Sequence, residues 1–362
     1  MKGKTRCLGW IFFILLFFLT ACGNQNSQVD HRNLLSEPLA DHRFLIGTHV
    51  SITIFDAQKE EVFERAFQLV EDLGNKIDVN NPVDSEIQRV NQAAGEHPVV
   101  VSQNVFYMVQ DALEISKASG GKFDMSIGPL TSLWRIGFPD ARRPTQEEID
   151  ERLPLINYQN IVLDENEHSI FLKKKGMSLD LGAVGKGWIT DEVAKYLKEH
   201  GVTTAILDFG GNVYVIGYSW RGEETPWNVG IQDPNQARNT TIGTLPGVNQ
   251  TFVTSGVYER FLEVDDVLYP HILNPETGFP FNNDIAGVTI IGDVSLEADI
   301  LSTTVFALGL KDGFRFIENR DGVDAIFITK EGRVYVTSGI ENTFQLSEGN
   351  GYTMGESAKL KE

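Results

Sequence analysis

The residues able to do chemistry fall in short, separate segments. Asp180-Leu181-Gly182-Ala183-Val184-Gly185-Lys186-Gly187 is glycine-rich and carries one lysine. Between a strand and a helix, such a turn brings backbone N–H groups close to a phosphate, and the lysine adds a point charge. It is not a Walker loop, which requires Gly in place of Asp180 and Ser or Thr after the lysine. It also lacks the glycine spacing of the dinucleotide fingerprint, and a tight structural turn explains the pattern as well. Asp299 and Thr303 lie four apart in a segment that reads as a helix beginning at Ser295, the expected N-cap. Their oxygens therefore share one helix face. A carboxylate and a hydroxyl so placed suit a hard cation such as Mg²⁺, which fills its shell with phosphate and water. An Asp favoured by the helix dipole is the plainer alternative.

His271 precedes an Asn274-Pro275-Glu276-Thr277-Gly278 turn signal. Its ordinary pKa near neutrality suits a general base, although a lone His is more often just a surface or hydrogen-bonded residue. The remaining histidines show no metal-ligand spacing. Phe123-Asp124-Met125-Ser126-Ile127-Gly128-Pro129-Leu130, followed by Trp134, sets aromatics beside small polar residues. Such a stretch could cradle a planar ring or simply pack in a core. Thr254 to Arg260 carries no generic chemical reading.

These segments need elements to position them. His49 to Phe55 alternates as a half-buried strand, and a helix is expected over about Gln58 to Leu73. A second amphipathic helix spans Val105 to Ser119, and Trp188 to His200 a third, stopped by Gly201. Ile161-Val162-Leu163 with Ser169 to Leu172 reads as a hairpin, as does Ala325 to Thr329 with Val334 to Thr337. Thr204 to Phe209 is a buried strand running into Gly210-Gly211. Strands and helices mix without regular βαβ spacing, which predicts an α+β fold of mixed sheets with packed helices.

The chain start reads as an address. Lys2, Lys4 and Arg6 precede an apolar run from Leu8 to Leu19, too short to span a bilayer, where about 20 residues are needed. Leu19-Thr20-Ala21-Cys22-Gly23 resembles a bacterial lipoprotein cleavage site with Cys22 acylated; an ordinary signal or an uncleaved anchor is the alternative. The cysteines are Cys7 and Cys22, so the folded part offers no disulfide, thiol nucleophile or Cys-based metal site. The expected organisation is a signal peptide over 1–21, a flexible tether over 22–42, one domain over 43–347 and a loose polar tail over 348–362. The 362 residues carry 31 Lys+Arg against 50 Asp+Glu, a net charge of −19, which disfavours a nucleic-acid partner.

Together and in this order, the segments resemble the ApbE family of flavin transferases. The resemblance rests on Gly47-Thr48, Asp84 to Ile87, Phe123 to Trp134 and Asp180 to Gly187. It continues through Gly210-Gly211-Asn212, Thr254 to Arg260, His271 to Gly278 and Asp299 to Thr303. It implies an ApbE-like, T-fold-like catalytic domain that splits FAD between its phosphates and transfers FMN to a Thr or Ser hydroxyl, releasing AMP. It further implies Mg²⁺ held by Asp299, Thr303 and the Ala183 carbonyl with help from Ser302, Mn²⁺ being suited to the same oxygens. His271 matches the family's general base. Phe123, Asp124, Asp180, Lys186 and Ile272 match flavin-contact positions, and Ile46 stands where many members carry Met. The loop before Asp84 holds Asn80-Asn81-Pro82 where many members have an aromatic residue. The implied partners are FAD and an exported flavoprotein acceptor, met at the outer face of a bacterial cell membrane to which lipid on Cys22 anchors the chain. An FAD pyrophosphatase using the same site, and a flavin-binding lipoprotein without chemistry, are the competing readings.

Overall fold

A computed structural model describes residues 32–80, 84–237 and 240–361. The leader, Cys22 and the Asn81-Pro82 step lie outside the described residues. Nine strands form the main sheet and stand in it in chain order: β1 (Leu34–Leu45), β2 (Thr48–Asp56), β3 (Ala205–Phe209), β4 (Asn212–Ile216), β5 (Gln250–Gly256), β6 (Ile285–Gly292), β7 (Asp324–Thr329), β8 (Arg333–Val336) and β9 (Thr353–Met354). Neighbours run antiparallel except β8 and β9, which are parallel.

Side-chain alternation sorts the strands between two cores. Ala205, Leu207 and Phe209 of β3 face one core while Ile206 packs against the other. The first core is roofed by helices α1 (Glu60–Ile77), α2 (Glu86–Gln92), α3 (Gln103–Ala118), α6 (Gly185–Glu199), α7 (Ser295–Leu308) and α8 (Leu310–Glu318). The second is closed by a three-stranded sheet of Trp227–Gln232, Thr241–Gly247 and Gln345–Leu346. Strand β6 is consequently buried along its whole length, as a strand covered on both faces must be. Helices α4 (Gly128–Trp134) and α5 (Gln146–Arg152) frame a smaller cluster of Leu130, Trp134, Ile136, Ile149 and Leu273. The α+β expectation and its helices, strands and hairpins hold to within a few residues at their ends.

Three local expectations differ. The stretch 34–42, expected as tether, is the first part of edge strand β1, paired with β2 in register Arg43↔Val50 and Asp41↔Ile52. Residues from 348 onward are not all loose: β9 pairs with β8, and α9 (Ala358–Lys361) docks on α8 through the Arg315 Nε bond to the Leu360 carbonyl (3.1 Å). Ser295 is the first helical residue of α7 rather than its cap; Val294 holds the cap position and offers no side-chain bond.

Candidate active site

The glycine-rich run folds through its own aspartate. Asp180 Oδ1 accepts the Gly182 N–H (2.8 Å), and the Gly185 N–H closes on the Leu181 carbonyl (2.8 Å), launching α6. The Asp180 N–H also donates to the Met125 carbonyl (2.9 Å), and Ile127 bridges to Ser178. The Phe123–Gly128 loop is thus laced alongside the approach to α6.

From the other side comes α7. Asp299 is 2% exposed, and its carboxylate accepts the Gly187 N–H (2.9 Å) and the Lys186 ammonium (3.0 and 3.3 Å). Such intimacy needs glycine at 187: a Cβ there would fall 2.3 Å from the Ser295 carbonyl oxygen and 2.8 Å from Asp299 Cβ. Ser302 donates to the Asp299 carbonyl and bonds Ser255 Oγ, each at 2.8 Å, which fixes the helix turn carrying Asp299. Thr303, half-buried, follows one turn along the same face. Among the described residues no three His, Cys, Asp or Glu side chains converge as a metal cluster. A cation here would meet a single carboxylate and neutral oxygens, the donor set of a Mg²⁺ that takes the rest of its shell from phosphates and water. The Lys186 ammonium already shows that the Asp299 carboxylate accepts a positive charge in this place.

His271 is held by backbone. Its N–H and its Nδ1 both face the Arg260 carbonyl (3.1 and 3.2 Å). A carbonyl only accepts, so in the neutral ring Nδ1 carries the proton and Nε2 keeps its lone pair. Burial first, and then the charges of Arg260 and Lys186, pull the imidazole down to about 4, so it is neutral at pH 7. The Arg260 guanidinium reaches across to the Gly47 carbonyl (3.1 Å). That carbonyl belongs to the two-residue turn between β1 and β2, where both Ile46 (φ 47°) and Gly47 (φ 72°) are left-handed. A β-branched residue in that region is strained, a condition that collects at functional sites.

The structure therefore joins Asp180, Ala183, Lys186, Asp299, Ser302 and Thr303 at one helix junction, and His271 to the Ile46 turn through Arg260. It commits other side chains elsewhere. Phe123 and Ile272 are buried in the main core. Asp124 spends Oδ1 on the Ser126 N–H and hydroxyl (2.8 and 2.7 Å) and Oδ2 on the Tyr158 N–H (2.9 Å), while burial raises its pKa. Trp134 is core packing: wholly buried, it donates Nε1–H to the Gly278 carbonyl (2.8 Å) beside Tyr269 and Phe279. Sequence reasoning passed over Arg260, Ser255 and Asp191; only the grouping of Thr254 to Arg260 with the other segments pointed near two of them.

The scaffold is a helix-roofed sheet with the Asp299 carboxylate and Lys186 paired at its glycine-rich turn. Two solved structures share it. An ApbE protein of Thermotoga maritima superposes with a TM-score of 0.77 at 26% identity, covering 84% of this chain and 98% of its own. The flavin transferase ApbE from Vibrio cholerae gives 0.75 at 25%, covering 85% and 99%. The ApbE family model matches residues 46–327. A protein of Klebsiella pneumoniae (strain 342) named FAD:protein FMN transferase is 38% identical over 294 residues, 81% of this chain and 90% of its own length. One of the same name from Treponema pallidum (strain Nichols) is 31% identical over 352 residues, covering 93% and 96%. The chain belongs to the ApbE family, and it is a transferase.

Proposed function

We propose that the protein transfers the FMN part of FAD to a Thr or Ser hydroxyl of an acceptor flavoprotein, releases AMP, and depends on Mg²⁺ or Mn²⁺. The observation that carries this reading is the Asp299 carboxylate buried at the mouth of the glycine-rich turn, already holding Lys186 and the Gly187 N–H. Asp299 and Thr303, with the Ala183 carbonyl and support from Ser302, would hold the metal, which when bound neutralises pyrophosphate charge. Lys186 supplies a second positive charge to the same phosphates, and the N–H groups of the turn orient them. His271 Nε2 takes the proton of the acceptor hydroxyl as its oxygen bonds to the FMN phosphorus. The bond from that phosphorus to the bridging oxygen breaks, and AMP leaves carrying that oxygen. Such transfer rests on positioning and charge stabilisation, which these groups supply. The lipoprotein-like start supports an exported enzyme anchored through Cys22 at the outer face of a bacterial membrane, acting on an exported acceptor.

The test is incubation with FAD, MgCl₂ and an acceptor peptide, read by mass spectrometry of the peptide and chromatography of nucleotides. An FMN adduct with equivalent AMP, lost in EDTA and reduced about 10²- to 10⁴-fold in His271→Gln, is the expected result. Free FMN with an unmodified peptide would make water the nucleophile and the protein a pyrophosphatase. Intact FAD throughout would leave only flavin binding.

A further inference from the structure

Helices α6 and α7 are locked by a reciprocal exchange. Asp191, in the second turn of α6, accepts the Ser295 N–H on Oδ1 and the Leu296 N–H on Oδ2, both at 2.8 Å. These are the first residues of α7, whose own cap position, Val294, bonds nothing with its side chain. Asp191 thus does from a neighbouring helix what a capping side chain does from within one chain. In return, Asp299 of α7 accepts the Gly187 N–H at the start of α6. Each helix satisfies N-terminal donors of the other with a carboxylate. Ser295 lies one turn before Asp299 on the same face, and its hydroxyl donates to Asn212 Oδ1 (2.6 Å) and bonds Thr251 Oγ1 (2.8 Å). The first turn of α7 is therefore pinned by the sheet on one side and by Asp191 on the other. Burial lifts Asp191 to about 6, so the charged form is kept at a cost.

We propose that Asp191 is a positioning residue for the transfer reaction, fixing the first turn of α7 against α6 so that Asp299 meets the glycine-rich turn in metal-holding geometry. This rests on the metal reading given above. An Asn at 191 would point an amide N–H₂ at one of the two N–H donors, leaving it unpaired and loosening the first turn of α7, one turn before Asp299.

Asp56 supplies the comparison. Its buried carboxylate accepts the Thr203 N–H (3.0 Å), the Thr203 hydroxyl (2.6 Å) and the Thr204 N–H (2.9 Å), at the end of β2 opposite the Ile46 turn. With the full chain, Mn²⁺ would be titrated in the presence of FAD and free Mn²⁺ read by electron paramagnetic resonance, with Tm measured alongside. Both Asp191→Asn and Asp56→Asn should lower Tm. Only Asp191→Asn should weaken Mn²⁺ binding, by about 10-fold or more, the size seen when a ligand's supporting partner is lost. Asp191→Glu, which keeps the charge but displaces it, should weaken binding too and serves if the Asn variant does not fold. Unchanged Mn²⁺ affinity in a folded Asp191 variant, or an equal loss in Asp56→Asn, would overturn the proposal. So would failure of both Asp191 variants to fold, which would make the residue purely structural. A parent protein that binds no Mn²⁺ would remove the metal reading itself, and this proposal with it.

Discussion

The two sides of the site are built in opposite ways. At the α6–α7 junction, Asp299, Ser295 and Ser302 are almost fully buried and their oxygens are bonded to neighbouring helix or sheet. On the His271 side, the base hangs from a two-stranded hairpin, Phe261–Val264 with Val267–Pro270, that joins no other sheet among the described residues. Phe261 and Leu268 of that hairpin are 47% and 58% exposed, and its tip turns through left-handed Asp265 and Asp266. The contrast follows from what each side handles in the proposed reaction. Charge on phosphates is stabilised by groups that do not move when the charge develops, and helices with satisfied polar atoms provide that. A base that meets a second macromolecule needs access, and His271, at the foot of this hairpin, is half-buried rather than sealed in.

The largest effects should come from breaking the rigid side. Asp299→Ala removes the carboxylate on which both helices converge; several kcal/mol of lost charge stabilisation corresponds to a fall on the order of 10³-fold in AMP release. Orphaning the Gly187 N–H should also cost about 1–3 kcal/mol of stability, read in urea unfolding. Gly187→Ala leaves every functional group in place and attacks only the approach of the helices. Its Cβ meets backbone at the Ser295 carbonyl, so α6 and α7 must separate. A loss of about 1–3 kcal/mol in unfolding is expected, with a fall in turnover on the order of 10²-fold from misplacement alone. Full activity in a folded Gly187→Ala protein would mean that the junction tolerates slack, and the contrast between the two sides would collapse.

Much of this architecture was legible because it is local. Strand β2 announces itself by alternation, β3 by an apolar run ending at Gly210-Gly211, and the Asp299–Thr303 face by a spacing of four. What was not legible is long-range or edge-like. Strand β1 carries Pro38 and buries none of its residues fully, which an edge strand tolerates and which reads as a tether. The two residues of β9 are too few to show any period. Lys186 and Asp299 each carried a reading, yet their pairing spans 113 positions and no periodicity reports it. The cap of α7 was sought at Ser295 because caps are sequence neighbours; the actual acceptor, Asp191, lies more than a hundred residues earlier and looks like any polar residue of an amphipathic helix. Arg260 gave no chemical signal because its carbonyl, which every residue possesses, is what holds His271.

The mildest test bears on the open side. In Arg260→Gln the carbonyl that orients Nδ1 stays, while the guanidinium that holds the Gly47 turn and acts on the imidazole is lost. Positive charge disfavours the imidazolium, so its removal lets the His271 pKa climb from about 4 toward the ordinary value near 6.5. The rise is partial, because burial is the larger cause and remains. The proposed base acts only when neutral, so the acidic limb of the kcat/KM profile should move to higher pH, with turnover at pH 8 reduced only about a few-fold. Stability follows the same sign. In the parent, the unfolded chain takes up a proton at His271 before the folded one does, so folding weakens as pH falls from about 6.5 to about 4. Arg260→Gln should narrow that window from its lower end, seen as a shallower loss of Tm on acidification. An acidic limb that stays in place would mean the walls around His271 alone set its basicity, and that the Arg260 guanidinium serves only the β1–β2 turn.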